Sequence, residues 1–200
     1  MSLKLKLIII GDSGSGKTSI INRLTYNEFI DTYEPTIGVD FKVLKKQTKL
    51  GEVRIMLWDT TGQERFNSIV SSYFRGSDGV LLCFALNDKE SFENLNKWLD
   101  MIKINCQPKT SIILLGTKSD LTNKIDHKNI IAYASQNEID YFTCSSKLDK
   151  SEQIDKIIDA LISCCLKNKK IVKEGTITKL VDSESKTHKN IFSKGECCMG

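Results

Sequence analysis

Residues 11–18 read Gly11-Asp-Ser-Gly-Ser-Gly-Lys17-Thr18, and this stretch decides the fold. It matches the pattern G-x-x-x-x-G-K-[ST], in which glycines let backbone N–H groups curl around phosphate oxygens. The apolar run Leu3–Ile10 predicts a strand before it, and Lys17–Thr25 predicts a helix after it. A strand, a glycine-rich turn and a helix in this order direct the positive end of a helix dipole at an anion. The stretch therefore predicts a phosphate-binding loop.

Apolar runs alternate with helical patterns along the chain, which predicts an α/β fold in three layers. We expect a six-stranded, mostly parallel sheet with helices on both faces. Gly51 separates two strand patterns and predicts a hairpin, so that one edge strand is antiparallel. Ser91–Ile104, with Ser91 as its N-cap, and Ser151–Leu166 are predicted helices. The further predicted strands are Phe41–Leu50, Val53–Asp59, Val80–Leu86, Ser111–Gly116 and Tyr141–Cys144.

The phosphate loop supplies the first candidate binding residues. Lys17 is expected to reach the β- and γ-phosphates, and the Thr18 hydroxyl to coordinate Mg²⁺. The backbone of the loop is expected to surround the phosphates. The remaining predicted contacts in this stretch are Ser13, Gly14, Ser15, Gly16 and Ser19.

Two further polar stretches follow predicted strands. In the first, residues 59–63, Asp59 can hold Mg²⁺ through water, Gly62 allows close approach to a γ-phosphate, and Gln63 can orient an attacking water. The second reads Thr117-Lys118-Ser119-Asp120, and the Asp120 carboxylate can accept both hydrogen bonds that guanine offers. Each stretch alone is a weak signal. Three motifs in this order, each at the carboxyl end of a strand, are specific for a guanine-nucleotide site.

Charge is unevenly distributed. Residues 167–200 hold 8 lysines and 4 acids, whereas residues 1–166 hold 21 basic and 21 acidic residues. A neutral folded region argues against a nucleic-acid-binding surface, and the basic tail suits an anionic surface. Seven cysteines without a C-x-x-C pair are typical of a reduced, cytosolic protein. After Leu166 the helical pattern ends, so residues 168–200 are expected to form a flexible tail.

Five further stretches of the sequence are informative. They are Ile37-Gly-Val-Asp-Phe41, Trp58-Asp-Thr-Thr-Gly-Gln-Glu-Arg-Phe66, Ser68-Ile-Val-Ser-Ser-Tyr-Phe-Arg-Gly76, Trp98-Leu-Asp-Met-Ile102 and Cys197-Cys-Met-Gly200. Together with the three motifs, they resemble the Rab family of small GTPases, within the Ras superfamily. The resemblance extends over essentially the whole chain and implies a P-loop G domain at residues 1–167 that switches between GTP and GDP. It implies Mg²⁺ as the metal and slow hydrolysis of GTP.

The resemblance also assigns roles to residues that lie in no motif above. Thr36 is implied to meet Mg²⁺ and the γ-phosphate in the GTP state, and Phe29 to pack on the guanine edge. Residues 145–147, which are Ser145, Ser146 and Lys147, match a loop in which a backbone N–H meets the guanine oxygen and the lysine covers the ring. The two switch segments are about 30–40 and 60–75.

Partners and location are implied in the same way. The resemblance implies effector proteins, an exchange factor, a GTPase-activating protein and a prenyl-binding chaperone. Geranylgeranyl groups on Cys197 and Cys198 would anchor the protein to the cytoplasmic face of endomembranes, from which it cycles with the cytosol. We expect a monomer that binds no nucleic acid.

Four positions depart from the usual Rab pattern. Thr117 replaces Asn and is expected to lose the amide that braces the base and the phosphate loop. Thr61 replaces Ala close to the path of Gln63, whereas Ser15 and Ser146 are expected to matter little. The alternative function is therefore a nucleotide-locked module that recruits partners without turnover. Because no arginine lies between Asp31 and Phe41, intrinsic hydrolysis should be slow and a partner should supply the missing charge.

Overall fold

The computed structural model describes residues 3–31, 39–49, 51–60 and 73–169. Its strands, β1 to β6 in chain order, are Leu3–Ile10, Val39–Thr48, Gly51–Thr60, Gly79–Ala85, Ser111–Thr117 and Asp140–Thr143. Its helices, α1 to α5, are Lys17–Tyr26, Lys89–Glu93, Leu95–Asn105, His127–Gln136 and Ser151–Asn168.

The six strands form one sheet in the order β2-β3-β1-β4-β5-β6. Strand β2 runs antiparallel to β3, and every other neighbouring pair is parallel. The predicted α/β fold with one antiparallel edge strand is thus confirmed. Parallel strands bring their carboxyl ends to one edge of the sheet, which we call the carboxyl edge, and their amino ends to the other, which we call the amino edge.

Helices cover both faces of the sheet, as predicted. On one face α1 and α5 pack against the alternate apolar residues of β1 and β3, such as Leu5, Leu7 and Ile55. On the other face α3 and α4 pack against Ile8, Ile10 and their neighbours. All five residues predicted to face inward from α5 are buried, namely Ile154, Ile157, Ile158, Leu161 and Ile162.

The predicted helix at Ser91–Ile104 was wrong in its start and its cap. Asp88 is the N-cap of α2, because its side chain accepts a hydrogen bond from the Glu90 amide at 3.1 Å. Ser91 lies inside this short helix, where its buried hydroxyl accepts from the Ala85 amide at 3.0 Å. The hydroxyl thus closes the turn after β4, and a second helix begins at Leu95.

Helix α4 was missed by the sequence patterns. Asp126 caps it by accepting a hydrogen bond from the Lys128 amide at 2.9 Å. Only Ile130 and Ala134 of this helix are buried, so its apolar stripe is too short to stand out in a periodicity pattern. None of the helices that the structure describes is both long and apolar enough to cross a lipid bilayer.

Candidate nucleotide-binding site

The phosphate loop joins β1 to α1 in a backbone conformation that depends on glycine. Gly11 has φ +140°, and a Cβ there would lie 2.1 Å from the Cys83 carbonyl oxygen. Gly16 caps α1 with φ +86°, in the left-handed region that favours glycine. Within the loop, the Ser15 amide donates to the Asp12 carbonyl at 3.1 Å. The loop is therefore a tight turn that ends at the amino terminus of a helix, the form expected of an anion-binding cradle.

Lys17 is folded back onto this loop. Its Nζ donates to the carbonyl oxygens of Gly11 at 2.8 Å and Asp12 at 2.7 Å, and the residue is only 5% exposed. Burial lowers the pKa of the ammonium, an effect that nearby Cys83, Asp59 and Asp12 oppose. The buried ammonium donates to two carbonyl oxygens, which are neutral. A phosphate group bound in the loop would supply the negative charge that these carbonyls do not provide.

The other predicted contacts of the loop lie where a cradle requires them. Ser13 is exposed at the turn, Gly14 has φ +75°, and Ser15 is buried. Ser19 lies in the first turn of α1, next to Thr18. The structure therefore brings the whole motif to the end of β1, as predicted.

Thr18 and Asp59 form the candidate metal pair. The Thr18 hydroxyl donates to Asp59 Oδ2 at 2.7 Å, and Asp59 is 1% exposed. Strand β3 delivers Asp59 to this point because it pairs in parallel with β1, with Asp59 opposite Ile9. Thr60 fixes the end of the strand by donating to the Ile9 carbonyl at 2.8 Å. A hydroxyl and a carboxylate in contact are the hard oxygen donors that Mg²⁺ prefers, so this pair fits the metal.

The guanine loops lie together at the carboxyl ends of β5 and β6. Asp120 Oδ1 accepts a hydrogen bond from the Ser145 hydroxyl, and the Ser145 amide donates to Asp149 Oδ2 at 2.7 Å. Between the loops, the Ser119 amide donates to the Cys144 carbonyl at 3.2 Å. Asp120 is thus held in a defined orientation by the second loop.

Lys147 and Phe29 meet beside these loops. Lys147 Nζ lies 5.8 Å from the centroid of the Phe29 ring and 3.4 Å from Asp31 Oδ1. Phe29 is half-buried in the segment that follows α1, and Lys118 occupies the left-handed region with φ 57°. The residues predicted to cover and flank the base are therefore neighbours in space.

Two features of the site were not found by sequence reasoning. Arg23 of α1 donates from Nε to the Ser146 carbonyl at 2.9 Å and from Nη1 to the Asn27 carbonyl at 2.7 Å. The Ser146 acceptor is a backbone oxygen 123 positions away in the chain, so no sequence signal could identify it. Arg23 holds the loop after β6 against the helix that starts at the phosphate loop.

The second feature links the phosphate loop to α3. Asp12 Oδ1 accepts from the Trp98 indole N–H at 2.6 Å, and Oδ2 accepts from the Asn94 side-chain amide at 2.8 Å. Trp98 is 3% exposed, so its ring belongs to the core. Its polar contact was missed, because a tryptophan on an apolar helix face indicates only packing.

Thr117 requires a correction. The expected loss of the brace to the phosphate loop was wrong, because the Thr117 hydroxyl lies 2.7 Å from the Ser15 carbonyl oxygen and 3.1 Å from that of Phe84. One hydroxyl hydrogen serves both acceptors. The shorter side chain still reaches the loop, since the hypothetical Cβ of Gly16 would lie 3.4 Å from the same hydroxyl.

Several predicted residues lie outside the described part of the chain. Their assigned roles stay predictions, and so does the effect of Thr61. They are Thr36, Thr61, Gly62, Gln63, Cys197 and Cys198.

Comparisons with known proteins converge on one family. The family model described as "Ras family" matches residues 6–167. "Ras-related protein Rab-13" from Canis lupus familiaris is 37% identical over 158 residues, 78% of this chain and 77% of that protein. "Ras-related protein RABD2a" from Arabidopsis thaliana is 38% identical over 144 residues, 71% of each chain. "GTP-binding protein YPTM2" from Zea mays is 39% identical over 144 residues, also 71% of each.

Proposed function

The chain belongs to the Ras family and is a Rab-type small GTPase, and from this premise we propose that the residues described above form its nucleotide site. It binds GTP and GDP with Mg²⁺, hydrolyses GTP, and interacts with effectors and regulators. The residue assignment rests on one observation, which is that three groups of candidate residues meet at one place. The phosphate loop, the Thr18–Asp59 pair and the Asp120–Ser145 pair all lie at the carboxyl edge of one sheet.

Phosphate binding is assigned to the loop and Lys17. The backbone N–H groups at the start of α1 and the Lys17 ammonium supply positive charge in a confined space, where electrostatic attraction is strong. Thr18 and Asp59 would hold Mg²⁺, which neutralises charge on the phosphate oxygens when bound. Thr36 completes this set by family resemblance.

Guanine recognition is assigned to Asp120 and its neighbours. A carboxylate accepts hydrogen bonds from the ring N–H and the amino group of guanine, and adenine does not offer that pair of donors. The Ser145 hydroxyl orients the carboxylate, Arg23 holds the adjoining loop, and Lys147 with Phe29 lies where the ring would be covered.

Hydrolysis and switching are assigned by resemblance to residues outside the described part. Gln63 orients the attacking water, and Thr36 with Gly62 holds the two switch segments while the γ-phosphate is present. No arginine stands in residues 32–40, so a GTPase-activating protein would supply one. The Thr117–Ser15 contact removes one reason for the alternative of a nucleotide-locked module.

The proposal also includes recruitment of the protein to a membrane. Relatives of the Rab type suggest a role in membrane-associated trafficking. We assign lipid attachment to Cys197 and Cys198, location to the cytoplasmic face of endomembranes, and extraction to a prenyl-binding chaperone. Two lipid chains give a stable anchor where one gives only marginal binding.

Nucleotide competition tests the core of the proposal. Purified full-length protein loaded with a fluorescent GDP analogue is challenged with unlabelled GTP, GDP or ATP, with Mg²⁺ present or chelated. GTP and GDP should displace the analogue at far lower concentration than ATP, and chelation should speed its release. Equal displacement by ATP and GTP would overturn the assignment of Asp120 to guanine.

A further inference from the structure

Three basic side chains form a row across one face of the sheet. Lys4 of β1 pairs with Arg54 of β3, and Arg54 pairs with Lys45 of β2. Residues that pair across neighbouring strands point to the same face, and the strands lie about 4.8 Å apart. All three side chains are exposed. We call these three residues the basic row.

The basic row is not stabilised by ion pairs within the described part of the fold. Among the residues that the structure describes, no acidic side chain forms an ion pair with Lys4, Lys45 or Arg54. Lys46, the next residue of β2, points to the opposite face and pairs with Asp155 at 2.7 Å. Like charges directly opposite each other destabilise a sheet. Three neighbouring bases without an acidic partner in that part of the fold therefore do not stabilise it, which suggests a role in binding.

The surroundings of the row are also predominantly basic. Lys6 lies on the same face one pair further along β1, where its Nζ contacts the Arg75 carbonyl at 2.9 Å and the Trp58 ring at 5.0 Å. Within the described parts of β1, β2 and β3, one acidic residue, Glu52, lies on this face. It stands opposite the uncharged Gln47 in the neighbouring strand. Asp78 lies beside this face, where it pairs with Lys169 at 2.8 Å and accepts a hydrogen bond from the Lys6 amide at 2.9 Å. The basic side chains still outnumber the acids around the row, so the face attracts anions.

The row lies at the amino edge, the end of the sheet away from the nucleotide site. Lys4 precedes the end of β1 at Ile10 by six residues, which corresponds to about 20 Å of strand. Helix α5 also ends at this edge, where the Asn168 amide donates to the Ser111 hydroxyl at 3.0 Å. Lys169 Nζ donates to the Lys4 carbonyl at 3.1 Å. The chain thus passes directly beside the row where it leaves the described residues.

We propose that the basic row docks the folded domain onto an anionic lipid bilayer. The face is exposed and complementary in charge to such a surface, and Lys169, the last described residue, contacts Lys4 of the row. Residues 170–200 follow Lys169 in the chain. Those residues add six lysines and four acids, followed by the two candidate lipid-bearing cysteines. The setting of this inference rests on the proposed membrane recruitment, but the docking itself requires no lipid on Cys197 or Cys198.

A bilayer fits the row better than an acidic protein does, because the chain that would be anchored departs from the row. The row alone gives weak binding, since each base close to an anionic membrane strengthens binding by about fivefold. Screening over a Debye length of about 8 Å confines this attraction to the face in contact. Together with an anchor, the row orients the domain with its carboxyl edge, and so its nucleotide site, away from the lipid.

Vesicle sedimentation of matched charge variants tests the docking. The full chain without lipid modification, loaded with GDP, is mixed with vesicles of phosphatidylcholine alone or with added phosphatidylserine. The row variant is Lys4→Gln, Lys45→Gln, Arg54→Gln. The control variant, Lys97→Gln, Lys128→Gln, Lys156→Gln, removes the same charge from exposed helical positions and keeps the same tail.

We expect the row variant to bind the anionic vesicles at least about tenfold more weakly than wild type. The control variant should stay within about twofold of wild type, and phosphatidylcholine alone should bind neither. Equal binding by the row and control variants would overturn the proposal. Release of bound GDP, measured on the same samples, reports separately on the nucleotide site, so a chain that fails to bind GDP contradicts the proposed function instead.

Footprinting of the wild-type chain decides the matter even where a variant fails to fold. An amine-reactive reagent is applied with and without anionic vesicles, and modified lysines are located by mass spectrometry. Lys4 and Lys45 should be protected by anionic vesicles, whereas Lys97 and Lys128 should react as before. Unchanged reactivity of Lys4 and Lys45 would overturn bilayer docking.

Discussion

The hydroxyl of Thr117 lies 2.7 Å from the backbone carbonyl oxygen of Ser15, and this contact fastens the end of β5 to the phosphate loop. Both residues are 1% exposed, so water cannot replace the bond. A hydroxyl therefore braces the phosphate loop at the position where the usual Rab pattern has asparagine. The brace to the loop persists through a different functional group.

Thr117→Val removes this bond and keeps the shape of the side chain. The buried Ser15 carbonyl would lose a donor, at a cost of about 1–3 kcal/mol. We expect a lower melting temperature and release of GDP that is several-fold faster, measured with a fluorescent analogue. Thr117→Ser keeps the hydroxyl and is the matched control. If the valine variant released GDP at the wild-type rate, the contact would have no part in retaining the nucleotide.

Asp120→Asn tests the assignment of the base. An amide offers one donor where the carboxylate offers only acceptors, so its hydrogen bonds would match xanthine, which carries an oxygen in place of the guanine amino group. We expect GTP affinity to fall by about a hundredfold, because one of the two hydrogen bonds now sets donor against donor and the other loses its charged acceptor. Xanthosine triphosphate should bind better than GTP. Competition binding measures both. Asp100→Asn, on the exposed side of α3, should leave the preference for GTP unchanged.

Much of this architecture could be predicted from the sequence. Alternation of apolar residues in β1 and β3 predicts strands, and parallel strands end at the same edge of a sheet. The loop that follows Ile10 and the residue Asp59, near the end of β3, therefore lie at one edge. Lys17, Thr18 and Asp59 could therefore be predicted to converge before any contact was known. The motif itself supplies their chemistry.

Other contacts could not be predicted, because the sequence encodes them only through packing. Arg23 and Trp98 bind partners far along the chain, and one of those partners is a backbone oxygen that every residue possesses. The start of α2 is set by the contacts of Asp88 and Ser91 with the backbone around them, and helical periodicity continues across the break between α2 and α3. The basic row becomes visible only once the register of β1, β3 and β2 is known.

Gln63→Leu and Thr61→Ala test hydrolysis. Leucine cannot orient water, so GTP should bind normally and be hydrolysed about a hundredfold more slowly in single-turnover assays. If the Thr61 side chain obstructs Gln63, alanine at that position should raise the hydrolysis rate. An unchanged rate in Thr61→Ala would make threonine at this position a silent substitution.

Cys197→Ser together with Cys198→Ser tests anchoring. Loss of both thiols removes the two proposed lipid attachment sites, and about 0.8 kcal/mol of membrane affinity is lost for each buried CH₂. We expect the tagged double variant to be fully cytosolic in its native cells and to bind GDP like wild type. The mass of the intact protein provides a direct check, since unmodified cysteines in membrane-bound wild type contradict lipidation.

Trp98→Phe tests whether the bond between α3 and the phosphate loop controls nucleotide release. Phenylalanine retains an aromatic ring in the core but cannot donate to Asp12 Oδ1, a bond of 2.6 Å in the structure. The Asp12 carbonyl also accepts from Lys17 Nζ at 2.7 Å, so freeing Asp12 should loosen the ammonium that faces the phosphates. A hydrogen bond to a charged group contributes about 1.5–3 kcal/mol, and we expect release of GDP to accelerate by up to about tenfold. Met101→Leu, on the same helix, is the control for altered packing. A variant with a lower melting temperature but unchanged GDP release would show that this contact serves stability alone.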